Sequence, residues 1–180
     1  MKKVLRYLLM TVMALFVSLP CLSAEAASVA LLPLINNVEG GDAVANQVFY
    51  KEALATMKLQ KGFVLMENDK INAAIEAARV GNAVPDKATL AKIAKDGGVD
   101  IVFALQIDDL KDEPVFPSTE RMLELDMEGV AVAYNNINGV FYKHEFASDK
   151  QIDEFYKIYQ NPIEIIQKHD IEALKKVHGV

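Results

Sequence analysis

The sequence predicts an α/β fold: a layered, mixed β-sheet with crossover helices, a β-hairpin in its C-terminal half and C-terminal helices. Three observations carry that expectation. Lys92–Asp109, KIAKDGGVDIVFALQIDD, reads as a helix end, a Gly97-Gly98 break and a buried strand from Asp100 to about Ile107. Its unbroken apolar run from Ile101 to Leu105, bracketed by glycines and acids, suits a central strand covered on both faces. Upstream, apolar runs alternate with helix-period stretches at crossover length. Downstream, Met122–Glu128 sets Leu123, Leu125 and Met127 against Glu124, Asp126 and Glu128, the alternation of a strand with one wet face.

Taken in order, Val29–Leu34 is the first strand and the natural partner of the central one, and Asn36–Gly41 reads as a loop. Asp42 can cap a helix to about Leu59, because its carboxylate accepts amide hydrogens of the first turn. Val44, Val48, Ala55 and Leu59 share a stripe there, with Phe49 and Leu54 off it, which implies neighbours on more than one side. Lys61-Gly62 ends that helix and Phe63–Met66 is a short strand. Asn68 or Asp69 caps a helix with Ile71, Ala74, Ile75 and Ala78 on one face and Gly81 as its left-handed stop. Pro85-Asp86 opens the next, with Leu90, Ile93 and Ala94 inward.

Past Gly129 the apolar set moves to Val130, Val132 and Tyr134, a parity change that predicts a bulge at Gly129. Asn135–Gly139, NNING, supplies a hairpin turn, and Val140–Phe146 returns as the partner strand. Asp149 then reads as the cap of a helix carrying Ile152, Phe155, Tyr156 and Tyr159. Asn161-Pro162 breaks it, and Ile163–Val177 continues as one helix or two, with Asp170 available as an internal cap.

The opening residues bear on location. Lys2, Lys3 and Arg6 precede the apolar run Leu8–Val17 and the small residues around Ala24-Glu25-Ala26. Basic region, apolar region and A-x-A site together predict a secretory signal peptide over residues 1–26, cleaved after Ala26. The apolar run is shorter than the ~20 residues a spanning helix needs, and Pro20 stands shortly after its end. Lipid anchoring at Cys21 is the lesser reading, since Ser18-Leu19-Pro20 departs from the usual residues before a lipidated cysteine. The destination is the periplasm or the cell exterior, and residues 27–180 make a single domain with a core over 28–147 and a helical segment over 149–178.

Of 19 basic and 25 acidic residues, loss of Lys2, Lys3, Arg6 and Glu25 leaves 16 and 24, a net charge near −8. That surface repels phosphate backbones, so nucleic acid is not expected as a partner. Cleavage after Ala26 also removes the single cysteine, and with it thiol chemistry and disulfides.

No catalytic motif is legible. His144, His169 and His178 stand in no metalloprotease spacing, and Ser28, Ser118 and Ser148 in no nucleophile elbow. His144 reads as a partly exposed strand residue, and His169 as a surface helix residue beside a cap. Catalytic, cofactor and metal residues are therefore none, with an enzyme lacking a recognisable motif kept as an alternative. Two acidic groups, Asp108, Asp109, Asp112 and Glu113 after the central strand and Glu124, Asp126 and Glu128 on a strand face, keep open a small-ligand or divalent-cation binder. The plainer reading is a solvated face paired across the hairpin, with Lys143 as the candidate partner. Pro114, Val115, Phe116 and Pro117, in a stiff loop running to Thr119, form either an exposed protein-docking element or a strap whose Phe116 covers the sheet edge.

The strings VALLPLINN, GFVLMEND and LAKIAKDGGVDIVFALQID resemble the N-terminal domain of TolB and the related periplasmic domains of the curli-secretion lipoprotein CsgG and the penicillin-binding-protein activator LpoB. Ala94-Lys95, Gly98-Val99-Asp100 and Ile101-Val102 match the phrase that leads into the family's central strand. The resemblance spans roughly Val29–Phe146, and the chain departs from it in its C-terminal helices and the lack of propeller repeats. It implies an exported α/β domain that works as a non-enzymatic envelope adaptor through an envelope protein partner, without a cofactor.

Overall fold

The structure, a computed structural model, describes residues 26–39, 43–114, 123–152 and 160–179. The leader with Cys21, the docking residues Val115, Phe116 and Pro117, and residues 153–159 lie outside those described. In chain order the elements are β1 (Ala27–Leu31), β2 (Ile35–Asn36), α1 (Ala43–Leu59), β3 (Phe63–Leu65), α2 (Asp69–Ala78), α3 (Lys87–Gly97), β4 (Ile101–Pro114), β5 (Leu123–Asn135), β6 (Phe141–Ile152) and α4 (Gln160–His178). The sheet runs β3-β1-β4-β5-β6, with β2 also paired to β4. β1 is parallel to β3 and β4, whereas β4, β5 and β6 form an antiparallel meander. The mixed α/β architecture is the one the sequence predicts.

The central strand is apolar on both sides because both sides are covered. Ile101, Phe103, Leu105 and Ile107 face α1 and α4, while Val102 and Ala104 face α2 and α3. Asp100 fixes the register of β1 on β4. Its carboxylate accepts from the Ser28 amide at 2.8 Å and the Ser28 hydroxyl at 2.7 Å, and its own amide donates to Ser28 Oγ at 2.9 Å. The acid in the family-like phrase is thus a sheet clamp.

The first strand is shorter than expected and is followed by a second. β1 stops at Leu31, and pairing resumes at Ile35–Asn36, running into the first residue of the expected loop. Pro33, which has no amide hydrogen to give, separates the two. On α1 the buried line runs through Phe49, Ala53, Thr56 and Met57, while Val48 and Ala55 are only half-buried. The helix is apolar on several sides, so the bulky Phe49 and Met57 decide which side meets the sheet. α2 is capped by Asn68, whose side chain accepts from the Ile71 amide. It ends at Arg79 (φ 50°), where its apolar face ends, two residues short of Gly81. Asp86 caps α3 and Gly98 (φ 71°) closes it.

The bulge lies in β4, between Ile107 and Asp109, directly opposite the Gly129 that was expected to carry it. It moves Leu110 onto the face occupied by Met127. The parity change along β5 has a different cause. Leu125, Met127, Ala131 and Ala133 keep to one face throughout, and Val132 and Tyr134 join the core under α2 and α3 on the other. Gly129 is required by close approach: a Cβ there would collide with the Gln106 carbonyl oxygen and come within 2.7 Å of Phe146 Cζ.

β6 runs on to Ile152, opposite Leu123, so Asp149 lies in a strand opposite Asp126 and caps no helix. Asn161-Pro162 falls in the first turn of α4 rather than in a break, as proline's missing donor permits at a helix start. Asp170 sits inside a continuous helix, not at an internal cap. The NNING turn anchors that helix: Asn135 Nδ2 and Asn138 Nδ2 each donate to the Val177 carbonyl at 3.1 Å.

Candidate functional site

Between the edge strand β6 and α4 the side chains with chemistry gather. Alternate residues of β6 point to one face, so Tyr142, His144, Phe146 and Ser148 line up toward the helix. On α4 the apolar stripe Ile165, Ile166, Ala173, Leu174 and Val177 passes through positions 169 and 170, and both are buried. His169, expected on the surface, is 4% exposed and stacks on Phe146 with ring centroids 3.9 Å apart. His144, half-buried as expected, tilts against His169 at 5.4 Å. Ser148 Oγ is 3.3 Å from His169 Nε2, and the Tyr142 hydroxyl donates to Glu172 Oε1 at 3.2 Å.

The electrostatics follow from burial. His169 is pushed below the usual imidazole range, first by burial and then by the charges of His144 and Lys168, with Glu172 pulling the other way. Burial raises Tyr142, helped by its bond to Glu172. Asp170 is fully buried, neither carboxyl oxygen has a hydrogen-bond partner, and burial holds its carboxyl well above the usual range. Neutral, it still leaves its polar atoms unsatisfied, and charged it would cost far more. Donor atoms of His144, His169 and Glu172 lie within 4.8 Å of one another. Sequence reasoning missed this group by weighing residue type over helical period. His178 is spoken for, edge-on to Phe63 at 5.0 Å.

Strand pairing brings the two acidic groups side by side, with Asp109 opposite Glu128 and Glu113 opposite Glu124, and only Asp108 is drawn off to other partners. Asp108 is a cross-link: its Oδ1 accepts from Asn37 Nδ2 at 2.9 Å and Gln106 Nε2 at 2.5 Å, and Asn37 also donates to the Asn82 carbonyl. Glu124, Asp126 and Glu128 are exposed on the sheet face that α2 and α3 leave bare. Lys143 does not pair with them, since it bonds Glu145 on its own strand at 2.7 Å. The basic residue among them is Lys111, opposite Asp126 in register and ion-paired to Asp109. Asp109 first, then Asp126 and Glu128, raise its ammonium above the usual value. Of the expected docking loop, Pro114 is the last residue of β4.

Among the described residues, no helix is long and apolar enough to cross a membrane. No protein-family model and no curated protein matches the chain. Solved structures of similar form include the hypothetical protein CT253 from Chlamydia trachomatis, 11% identical over 85% of this chain and 96% of that one, TM-score 0.49. Lipoprotein GNA1162 from Neisseria meningitidis is 11% identical over 79% of this chain and 96% of that one, TM-score 0.47. The LpoB C-terminal domain from Salmonella enterica is 12% identical over 72% of this chain and 84% of that one, TM-score 0.39. LpoB is one of the relatives the sequence pattern resembles. These are distant likenesses of chain path and say nothing of what this chain binds.

Proposed function

We propose that this protein is an exported, non-enzymatic accessory of the cell envelope or exterior, a single domain that acts by binding another protein. The observation that carries the reading is the far half of the β4–β5–β6 meander. α4 covers one face of it, over Leu125 and Met127, and the other face presents Glu124, Asp126 and Glu128 to solvent. An acidic strand face fits a partner with a basic face, and such complementarity steers encounter and selects against acidic surfaces. The leader pattern supports export.

Crosslinking in intact cells, followed by affinity capture, tests this with the chain and with a Glu124→Lys, Asp126→Lys, Glu128→Lys variant. The reading requires one reproducible envelope partner that is lost on charge reversal and released by salt, with thermal stability unchanged. Equal capture by the variant overturns it.

A small-ligand reading has one specific observation in its favour. A cleft of about 490 Å³ opens beside Leu34, Asn37, Glu76, Arg79 and Asn82, at the carboxyl end of β1, a position where open α/β sheets take ligands. A metabolite thermal-shift screen that moves the melting temperature, with Arg79→Ala abolishing the shift, would favour it.

A further inference from the structure

Among the described residues, β6 and α4 bring metal-binding groups together, His144 from the strand and His169 and Glu172 from the helix. We propose that His144, His169 and Glu172 bind a divalent transition-metal ion of the zinc class, which ties α4 to the edge strand β6. The local structure brings the three together for separate reasons. His169 and Glu172 are three apart on α4 and so share a helix face. His144 is delivered by the strand period, in the row that stacks Tyr142, His144 and Phe146.

The distances are close to those of a bound state. The donor atoms lie within 4.8 Å of one another. Donors in a tetrahedral zinc site sit roughly 3.4 Å apart, as ligand bonds of about 2.0–2.2 Å dictate. A bound ion would draw the three donors closer together. Two imidazoles and one carboxylate suit zinc and its neighbours, whereas calcium and magnesium take oxygen ligands. The ion is thus of a different class, and in a different place, from the hard cation the acidic strands suggest.

Surrounding groups support the site as they do in metal proteins generally, by orienting ligands from behind. Tyr142 holds the Glu172 carboxylate by its 3.2 Å hydrogen bond, and Ser148 lies against His169 Nε2. His169 Nδ1 is buried and has no partner. Burial pushes the ring below the usual imidazole range, the direction that favours the neutral form a metal takes. Two facing imidazoles repel when both are protonated and are drawn together by a shared cation. Three protein donors leave one coordination position for water or for a side chain of a bound partner.

The test uses the protein purified as the cell processes it, stripped by chelator and titrated with Zn²⁺ alone. A single ion per chain and a zinc-dependent rise in melting temperature are expected. His144→Gln and Glu172→Gln, at half-buried positions, should each weaken binding at least ~10-fold, and Tyr142→Phe by about 10-fold, the usual effect of removing an orienting partner. Co²⁺ gives a readout independent of substitution, with the visible bands of a four-coordinate ion expected. No binding at millimolar zinc, unchanged affinity in both folded glutamine variants, or only the weak bands of six-coordinate cobalt would each overturn the proposal.

Discussion

Two helical layers flank one sheet, and they differ in what they bury. Under α2 and α3 the core is apolar, with Ile71, Leu90, Ile93 and Ala94 against Val102, Ala104 and Val132. The ends of those helices are satisfied by Asn68, Asp86 and Gly98. On the other face α4 buries equally good apolar residues, Ile166 and Leu174, but places His169 and Asp170 in the middle of their stripe. The first layer needs nothing beyond folding to explain it. The second carries unpartnered polar atoms that a core does not require, and departures of that kind concentrate where a protein does its chemistry.

The largest effect expected is on the plain layer. Leu90 is fully buried, and Leu90→Ala should lose about 2–5 kcal/mol in denaturant unfolding, transfer and cavity terms together. The α4 layer should answer in the opposite direction. Asp170→Val replaces an unpartnered acid by an apolar group of similar size, and a gain of about 1–2 kcal/mol is expected from removing its desolvation cost. A loss instead would break the comparison, because it would mean that the carboxyl has a stabilising role that its surroundings do not display.

The same contrast sets what the sequence makes legible. α3 has one apolar side, so Leu90, Ile93 and Ala94 are readable as its inward face. α1 is apolar on several sides, and its burial line through Phe49 and Met57 depends on the sheet it meets. Strand lengths depend on partners distant in the chain: Asp149 looks like a helix cap until its pairing with Asp126 is known, and β4 continues through Asp108–Glu113 because β5 lies beside it. The parity change after Gly129 reflects where the α2–α3 cover begins, which no local pattern records. Of the candidate site, His144 is legible as a half-buried strand residue. His169 and Asp170 are hidden by their polarity, although the period set by Ile165, Ile166, Ala173 and Leu174 runs straight through them.

The smallest effects fall on the caps of the plain layer, and they sharpen the comparison because one cap titrates and the other does not. Asn68→Ala should lose about 1 kcal/mol at any pH, the usual value of an N-cap side chain. Asp86 is exposed, and its carboxyl is held below the usual 3.8, first by the backbone hydrogen bond from Thr89. A depressed folded pKa means the contribution is complete above the unfolded value and is lost as pH falls through the folded one. Thermal unfolding of Asp86→Ala should therefore show a deficit that is constant from neutral pH down to about 4 and disappears in stronger acid. The Asn68→Ala deficit should persist there. If both deficits faded together, acid would be loosening the whole α2–α3 layer, and the claim that its ends are satisfied independently of its core would fail.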